Sequence, residues 1–408
     1  MLVEKKVFEL PRYVTHGGTL LKQVRVGWES YGTLNPERSN AILVTHYFSA
    51  TSHAAGRYSS ADALPGYWDT IIGPGKAIDT ERFFVLSSDT LVNLNARDPQ
   101  VVTTGPASID PDTGKRYDTS FPIVSIHDFV EVQKALVESL GIKRLRAVVG
   151  PSMGALQAYQ WAQSHPDMVE RIMPVIGAAG GDPFLIAWLD VWAQPVWLDP
   201  KWRGGAYPDN DPPVAGLTAA LKTVTLHANQ SEWAATFGHN PALPGRDPAA
   251  ALSHRFAIED ALDRFAAMRM VTADANNFLF LIRANQLARA DARQIKAPTL
   301  MLYSPTDLLF PQPWIERTAA AIRAAGTPVE IAPLHGPNGH LNGVLHVAQA
   351  SNGLRLSLRG RSFLKPHARA RWAAPEAPRS AAAARVSPSA HRSTARPRAD
   401  AWDHNHYP

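Results

Sequence analysis

Residues 145–164 read LRAVVGPSMGALQAYQWAQS, and this stretch decides the fold. A short apolar run over residues 145–149 ends at Gly150, the sequence G-x-S-x-G follows, and a helical pattern begins at about Gly154 and continues to Ser164. G-x-S-x-G alone occurs often by chance, and a Ser in an ordinary βα turn has no chemical task. Placed directly between a strand and a helix, the motif fits a turn that presents a nucleophile. Gly150 and Gly154 allow a sharp, strained bend where a Cβ would meet neighbouring backbone. The bend lifts the Ser152 hydroxyl above the sheet edge, and the helix N-terminus aims the Met153 N–H at a developing oxyanion.

Outward from this unit, strand and helix signals alternate. Residues 25–31 (RVGWESY), 41–45 (AILVT) and 82–87 (RFFVLS) read as strands. Residues 128–140 carry a helical apolar stripe at Phe129, Val130, Val132, Leu136 and Leu140. Further strands are expected at 171–176, 298–303 and 328–331. Strands separated by helices argue for an α/β fold with a mostly parallel, doubly wound sheet. From 182 to 295 the β alternation stops, and helical periodicities appear with Trp188, Trp192, Trp197, Trp202 and Trp233. This segment reads as an inserted helical lid on a core built from 1–181 and 296–354. Its Trp residues fit core and lid packing first, and an acyl-binding wall or a dimer contact second.

Composition narrows the function classes. The chain has 408 residues with no Cys, which excludes a disulfide framework, a thiolate zinc site and a cysteine nucleophile. The formal charge of +5 is uneven: residues 355–408 hold ten Arg and one Lys against three acids, so the body to residue 354 is slightly acidic. A slightly acidic body suggests neither nucleic acid nor an anionic membrane as partner. The segment 355–408, rich in Ala, Arg, Pro and Ser, reads as a disordered basic tail, an electrostatic tether or an out-of-frame stretch. The first thirty residues lack a signal-peptide pattern, and no apolar run approaches the ~18 residues of a membrane span. A cytoplasmic location is the expectation.

A hydroxyl nucleophile needs a base, and the base an orienting carboxylate, in chain order Ser, Asp, His for such a sheet. Strand 298–303 runs into Ser304-Pro305-Thr306-Asp307, placing Asp307 at a strand's C-terminal end, where parallel sheets build their sites. His340 lies in a Gly/Pro loop, Gly336-Pro337-Asn338-Gly339-His340, free to point inward. His335 is the fallback base, and His346 falls in a helical pattern suited to packing or capping. A second oxyanion donor is expected after strand 41–45, and the Phe48 N–H is assigned to it. His46 and His53 invite a metal reading, but no third ligand stands at useful spacing. Neither a metal nor a cofactor is therefore expected. Gly73-Pro74-Gly75-Lys76 lacks phosphate-loop spacing and reads as a structural turn.

With these residues in view, the chain resembles the homoserine O-acetyltransferase family of the α/β-hydrolase fold. The matching text includes AILVTHYFSATSHAAG (41–56), GYWDTIIGPGKAIDTERFFV (66–85), TGPASIDPDTGK (104–115), FPIVSIHDFVEVQKALVESLGI (121–142), DANNFLF (274–280), SPTDLLFP (304–311) and the NGH at 338–340. The resemblance implies a Ser152, Asp307 and His340 triad with Phe48 and Met153 amides as oxyanion donors. It also implies a tendency to dimerise through the lid. Three departures bear on activity. Leu341 stands where the family has an acidic residue after the catalytic His. Asn93–Arg97 replaces a Gly-Cys-x-Gly-Ser stretch. Leu221 and Ala228 occupy the positions of a family Arg and Tyr. Each lost charge-assisted pair to homoserine costs roughly 1.5–3 kcal/mol.

Acyl-enzyme chemistry needs only the triad and the oxyanion hole, so it survives these changes. The expectation is a serine carboxylesterase acting on a small-molecule, short-chain acyl ester, with Leu341 and Tyr47 on the substrate side. Acyl-CoA-dependent O-acyltransfer of the homoserine type is the alternative, and a non-catalytic binding protein on this fold is a third reading.

Overall fold

Fully buried β-branched and aliphatic runs build the centre of the molecule. In this computed structural model, which describes residues 1–361, they form one eight-stranded sheet in the order β1-β2-β6-β3-β7-β8-β9-β10. The strands are β1 (Lys6–Val14), β2 (Leu20–Tyr31), β3 (Ala41–Thr45), β6 (Phe84–Ser88), β7 (Ala147–Pro151), β8 (Ile172–Val175), β9 (Thr299–Tyr303) and β10 (Val329–Pro333). A separate two-residue ribbon pairs β4 (Ile72–Gly73) with β5 (Ile78–Asp79). β1, β2 and β6 pair antiparallel, and every pairing from β6 to β10 is parallel. The antiparallel β1 and the first half of β2 were not expected. Their half-buried pattern, exposed on one face, gives a weaker signal than the apolar runs of the centre.

Side chains alternate across the sheet, so neighbouring residues serve opposite cores. Leu43 and Val148 pack on one face beneath helices α1 (Ile126–Ser139) and α2 (Met153–Ser164). Ile42, Val44 and Val149 pack on the other with Trp68, Ile72 and Leu354. Each large side chain removed from water in this way contributes about 1.5–3 kcal/mol.

Between Val175 and Thr299 the chain forms α3 (Pro183–Leu198), α4 (Val214–His227), α5 (Ser231–Ala235), α6 (Ala257–Met270) and α7 (Ala275–Gln286). The described residues of this insert hold no strand, only an isolated bridge between Pro241 and Phe256. α3 packs on α4 and α7, and α4 on α6. Trp192 is buried, Trp188, Trp202 and Trp233 are half-buried, and Trp197 is exposed. The chain then returns to β9, followed by α8 (Gln312–Ala324), β10, α9 (Asn342–Leu345) and α10 (Ser351–Leu358).

One expected boundary needs correction. The composition change predicts a tail from residue 355, yet α10 continues to Leu358, with Leu354 and Leu358 buried one helical turn apart. Arg146 Nη2 donates to Leu358 O at 2.9 Å, and Arg355 Nη2 donates to Gly75 O at 2.7 Å. The arginines that mark the composition change therefore begin inside the fold. The rest of the expected tail, from residue 362, lies outside the described residues. Arg355 also shows what the Gly73–Lys76 segment does: it is a turn between β4 and β5, with Lys76 Nζ on Asp69 Oδ2 at 3.0 Å. Among the described residues no helix is long and apolar enough to cross a membrane.

Candidate active site

Four strand ends converge on one cavity at the C-terminal edge of the parallel sheet, where such folds place their chemistry. β7 delivers Ser152 with φ 57° and ψ −117°, a backbone state that L residues rarely hold. The Ser152 N–H donates to Val175 O at 2.8 Å, which pins the bend to β8. The two glycines have a specific cause. A Cβ on Gly150 would overlap Thr45 Oγ1 and O, and one on Gly154 would overlap Thr45 O. Thr45, the last residue of β3, in turn donates its hydroxyl to Gly154 O at 2.8 Å. Ser152 itself lines the cavity, and Met153 opens α2, where the first four N–H groups have no intrahelical acceptor.

β9 and β10 deliver the other two residues. His340 Nδ1 faces Asp307 Oδ2 at 2.8 Å, with side-chain exposures of 6% and 1%. Asp307 Oδ1 accepts the N–H groups of Leu309 at 2.8 Å and Phe310 at 3.0 Å, so the carboxylate is fixed by backbone donors. The Phe310 ring stacks on the imidazole at 5.8 Å. Gly339 holds φ 56° against Asn229 of the insert, and Leu341 N–H donates to Ala228 O at 3.2 Å. The loop carrying His340 is thereby tied to the lid. His335 is exposed and outside the cavity, and His346 Nε2 meets Asn338 Oδ1 at 3.3 Å as part of that loop's brace.

β3 delivers Tyr47, Phe48 and Ser49 to the wall. Phe48 sits edge-on against Trp192 at 5.5 Å and Phe278 at 5.8 Å. Behind the loop, His46 is fully buried. Its Nδ1–H donates to Tyr47 O at 2.8 Å, and burial pushes its pKa down to about 4. Asn93 Nδ2 donates to Ala50 O at 3.1 Å and Asn95 Nδ2 to Ser49 O at 3.2 Å. This bracing role of Asn93 and Asn95 was not foreseen: both stand in the stretch that departs from the family pattern. His53 lies apart, with Nδ1 on Glu29 Oε2 at 3.0 Å.

The insert closes the cavity with Leu185, Leu189 and Trp192 of α3, Val224 of α4, Ala228, Arg269 of α6 and Asn285 of α7. Leu341 and Tyr47 line it, and Leu221 is fully buried within the insert. Sequence reading missed Arg269, Ser49 and Asn285. The available signal for the first was an Arg set in the apolar run FAAMRM (265–270). His227 also lies near the pair. Its pKa is lowered to about 4, mainly by burial and then by His340, and its ring sits tilted against Trp188 with centroids 4.0 Å apart. Chemically, the arrangement offers a hydroxyl at the start of α2 and a carboxylate-held imidazole on one largely apolar cavity, groups suited to acyl transfer.

Comparison with known proteins agrees with this geometry. The family model described as alpha/beta hydrolase fold matches residues 96–327. A homoserine O-acetyltransferase of Symbiobacterium thermophilum is 37% identical over 339 residues, covering 80% of this chain and 86% of that protein. One from Methanococcoides burtonii is 40% identical over 269 residues, covering 66% of this chain and only 54% of that longer relative. The crystal structure of esterase E22 is 46% identical with a TM-score of 0.84, covering 88% of this chain and all of that one. A sheet, an elbow and an insert arranged in this way, together with identity at this level over most of the length, place the chain in the α/β-hydrolase fold family, and within it among the homoserine O-acetyltransferase-like proteins.

Proposed function

We propose that the protein is a serine esterase that hydrolyses short-chain acyl esters through an acyl-enzyme on Ser152. The observation that carries this reading is the His340–Asp307 pair held at 2.8 Å in the cavity that Ser152 lines. In the proposed cycle the Ser152 hydroxyl attacks the acyl carbonyl while His340 Nε2 takes its proton, and the Phe48 and Met153 N–H groups receive the oxyanion. His340 passes the proton to the leaving alcohol. Water then attacks the acyl-enzyme, losing a proton to His340, which returns it to Ser152 Oγ as the acyl–oxygen bond breaks and the carboxylic acid departs. Asp307 holds the imidazole tautomer and offsets its charge.

Water is preferred as acceptor because the described cavity wall contains no carboxylate to pair an amino-acid ammonium. Leu341 and Ala228 line it instead. The curated relatives weigh toward a second reading, O-acyltransfer from an acyl-CoA with homoserine as acceptor, since those matched at 32–40% identity are homoserine O-acetyltransferases. Both readings share the acyl-enzyme and differ in what empties it. Acyl release from p-nitrophenyl acetate and butyrate, then from acetyl-CoA with and without L-homoserine, separates them when run beside Ser152→Ala. Ester turnover that needs Ser152 and ignores homoserine is expected. Acetyl-CoA consumption only with homoserine present would establish the transferase, and failure of a folded protein in all arms would leave a binding role.

A further inference from the structure

Arg269 projects from α6 into the wall that Ser152 and His340 share. Its guanidinium touches two neutral oxygens: Nη1 donates to Thr225 Oγ1 and Nη2 to Ser49 Oγ, each at a long 3.3 Å. Other arginines of this region are paired, Arg255 with Asp263 and Arg264 with Asp260, but Arg269 has no ion pair among the described residues. The remaining wall is largely apolar, and Asp307 is engaged by His340 and backbone donors. Burial lowers the guanidinium's pKa, and the neighbouring Tyr47 acts in the opposite sense.

Arg269 is half-buried, and a cation set against an apolar wall with only two long hydroxyl contacts leaves donors free for an anion to complete its shell. A guanidinium's planar fork matches a carboxylate, which it binds through two parallel hydrogen bonds. Ser49 directly follows Phe48, so the cation is anchored one residue from the amide assigned to the reacting oxygen. We propose that Arg269 recognises a substrate carboxylate, and that the natural substrates are esters bearing a carboxylate and no ammonium. This rests on the acyl-transfer reading of Ser152. A single guanidinium in the described wall suits a monoanionic carboxylate better than a phosphate dianion, and the lack of an acidic side chain there disfavours amino-acid esters.

The test compares matched neutral and anionic esters by titration of released acid. 4-Carboxyphenyl acetate against phenyl acetate places the carboxylate on the alcohol side; phenyl hydrogen adipate against phenyl hexanoate places it on the acyl side. In one of these arms Arg269→Met is expected to lower the anionic-to-neutral ratio of kcat/KM roughly ten- to a hundredfold, with Arg269→Lys in between. A ratio unmoved in both arms, including a parallel fall of both esters, would overturn the proposal and leave Arg269 as a clamp between lid and core. Calorimetric binding to Ser152→Ala separates this from the reading beneath it, using 4-acetamidobenzoate against acetanilide. Arg269-dependent binding of the anion without ester turnover would sink the hydrolase reading and keep the carboxylate site.

Discussion

Ser152 occupies a left-handed conformation at φ 57°, ψ −117°, a strain of about 1–3 kcal/mol that the surrounding strands must hold. Glycine relieves that strain and alanine keeps it, so Ser152→Gly should unfold at higher denaturant than Ser152→Ala, by about 1 kcal/mol. Both variants should lose at least roughly a thousandfold in kcat. Equal stability of the two would mean that the bend is not strained in solution. Two other residues contribute to the response to mild acid. His46 and His227 are buried, and each titrates near 4, below the ordinary imidazole value, chiefly because burial disfavours the cation. The unfolded chain therefore binds protons first as pH falls. Stability from these groups is full above about pH 6.5, declines below it, and is spent near pH 4. Between pH 7 and pH 5 the loss is about 2 kcal/mol for each imidazole. Denaturant midpoints of the wild type and His227→Leu at both pH values should show a shallower fall in the variant.

At the scale of elements, the loop after β3 is positioned from behind rather than from within the cavity. Asn93 is fully buried, donates to Ala50 O, and its own carbonyl accepts Asn277 Nδ2 at 2.8 Å from α7. Asn93→Ala should release the segment that carries the Phe48 N–H. Its kcat is expected to fall roughly tenfold with little change in KM, because only an interaction made in the transition state is lost. A rise in KM at constant kcat would assign Asn93 to substrate binding instead. The sequence exposed the elements that are locally complete. The elbow, the fully buried strands β3, β7 and β9, and the loops holding Asp307 and His340 each carry their pattern within a few residues. Asn93 and Arg269 act on partners 43 and 220 positions away, Ala50 and Ser49, so no local period marks them. β1 was missed for a related reason: its pairing with β2 gives it only one covered face.

At the scale of the whole molecule, the chain past residue 354 closes the sheet face opposite α1 and α2. Leu358 is 1% exposed in the same apolar cluster as Val149 and Leu302, which belong to the central strands. The backbone there also accepts from two half-buried cations: Arg146 donates to Leu358 O, and Arg171 donates to Ser357 O. Ending the chain at Leu354 would expose part of that cluster and remove a carbonyl acceptor from each guanidinium while leaving both with Glu170, a loss of about 0.5–1.5 kcal/mol each. Burial of Leu358 adds about 2 kcal/mol. A chain ending at Arg361 keeps all of these contacts. The two truncations should therefore differ in thermal midpoint by several degrees, at roughly 1–1.5 °C per kcal/mol for a protein of this size. Ester turnover at low temperature should be similar in both, since no residue of α10 lines the cavity. Identical melting of the two would mean that α10 contributes nothing to the fold and that the composition change at 355 is the true boundary.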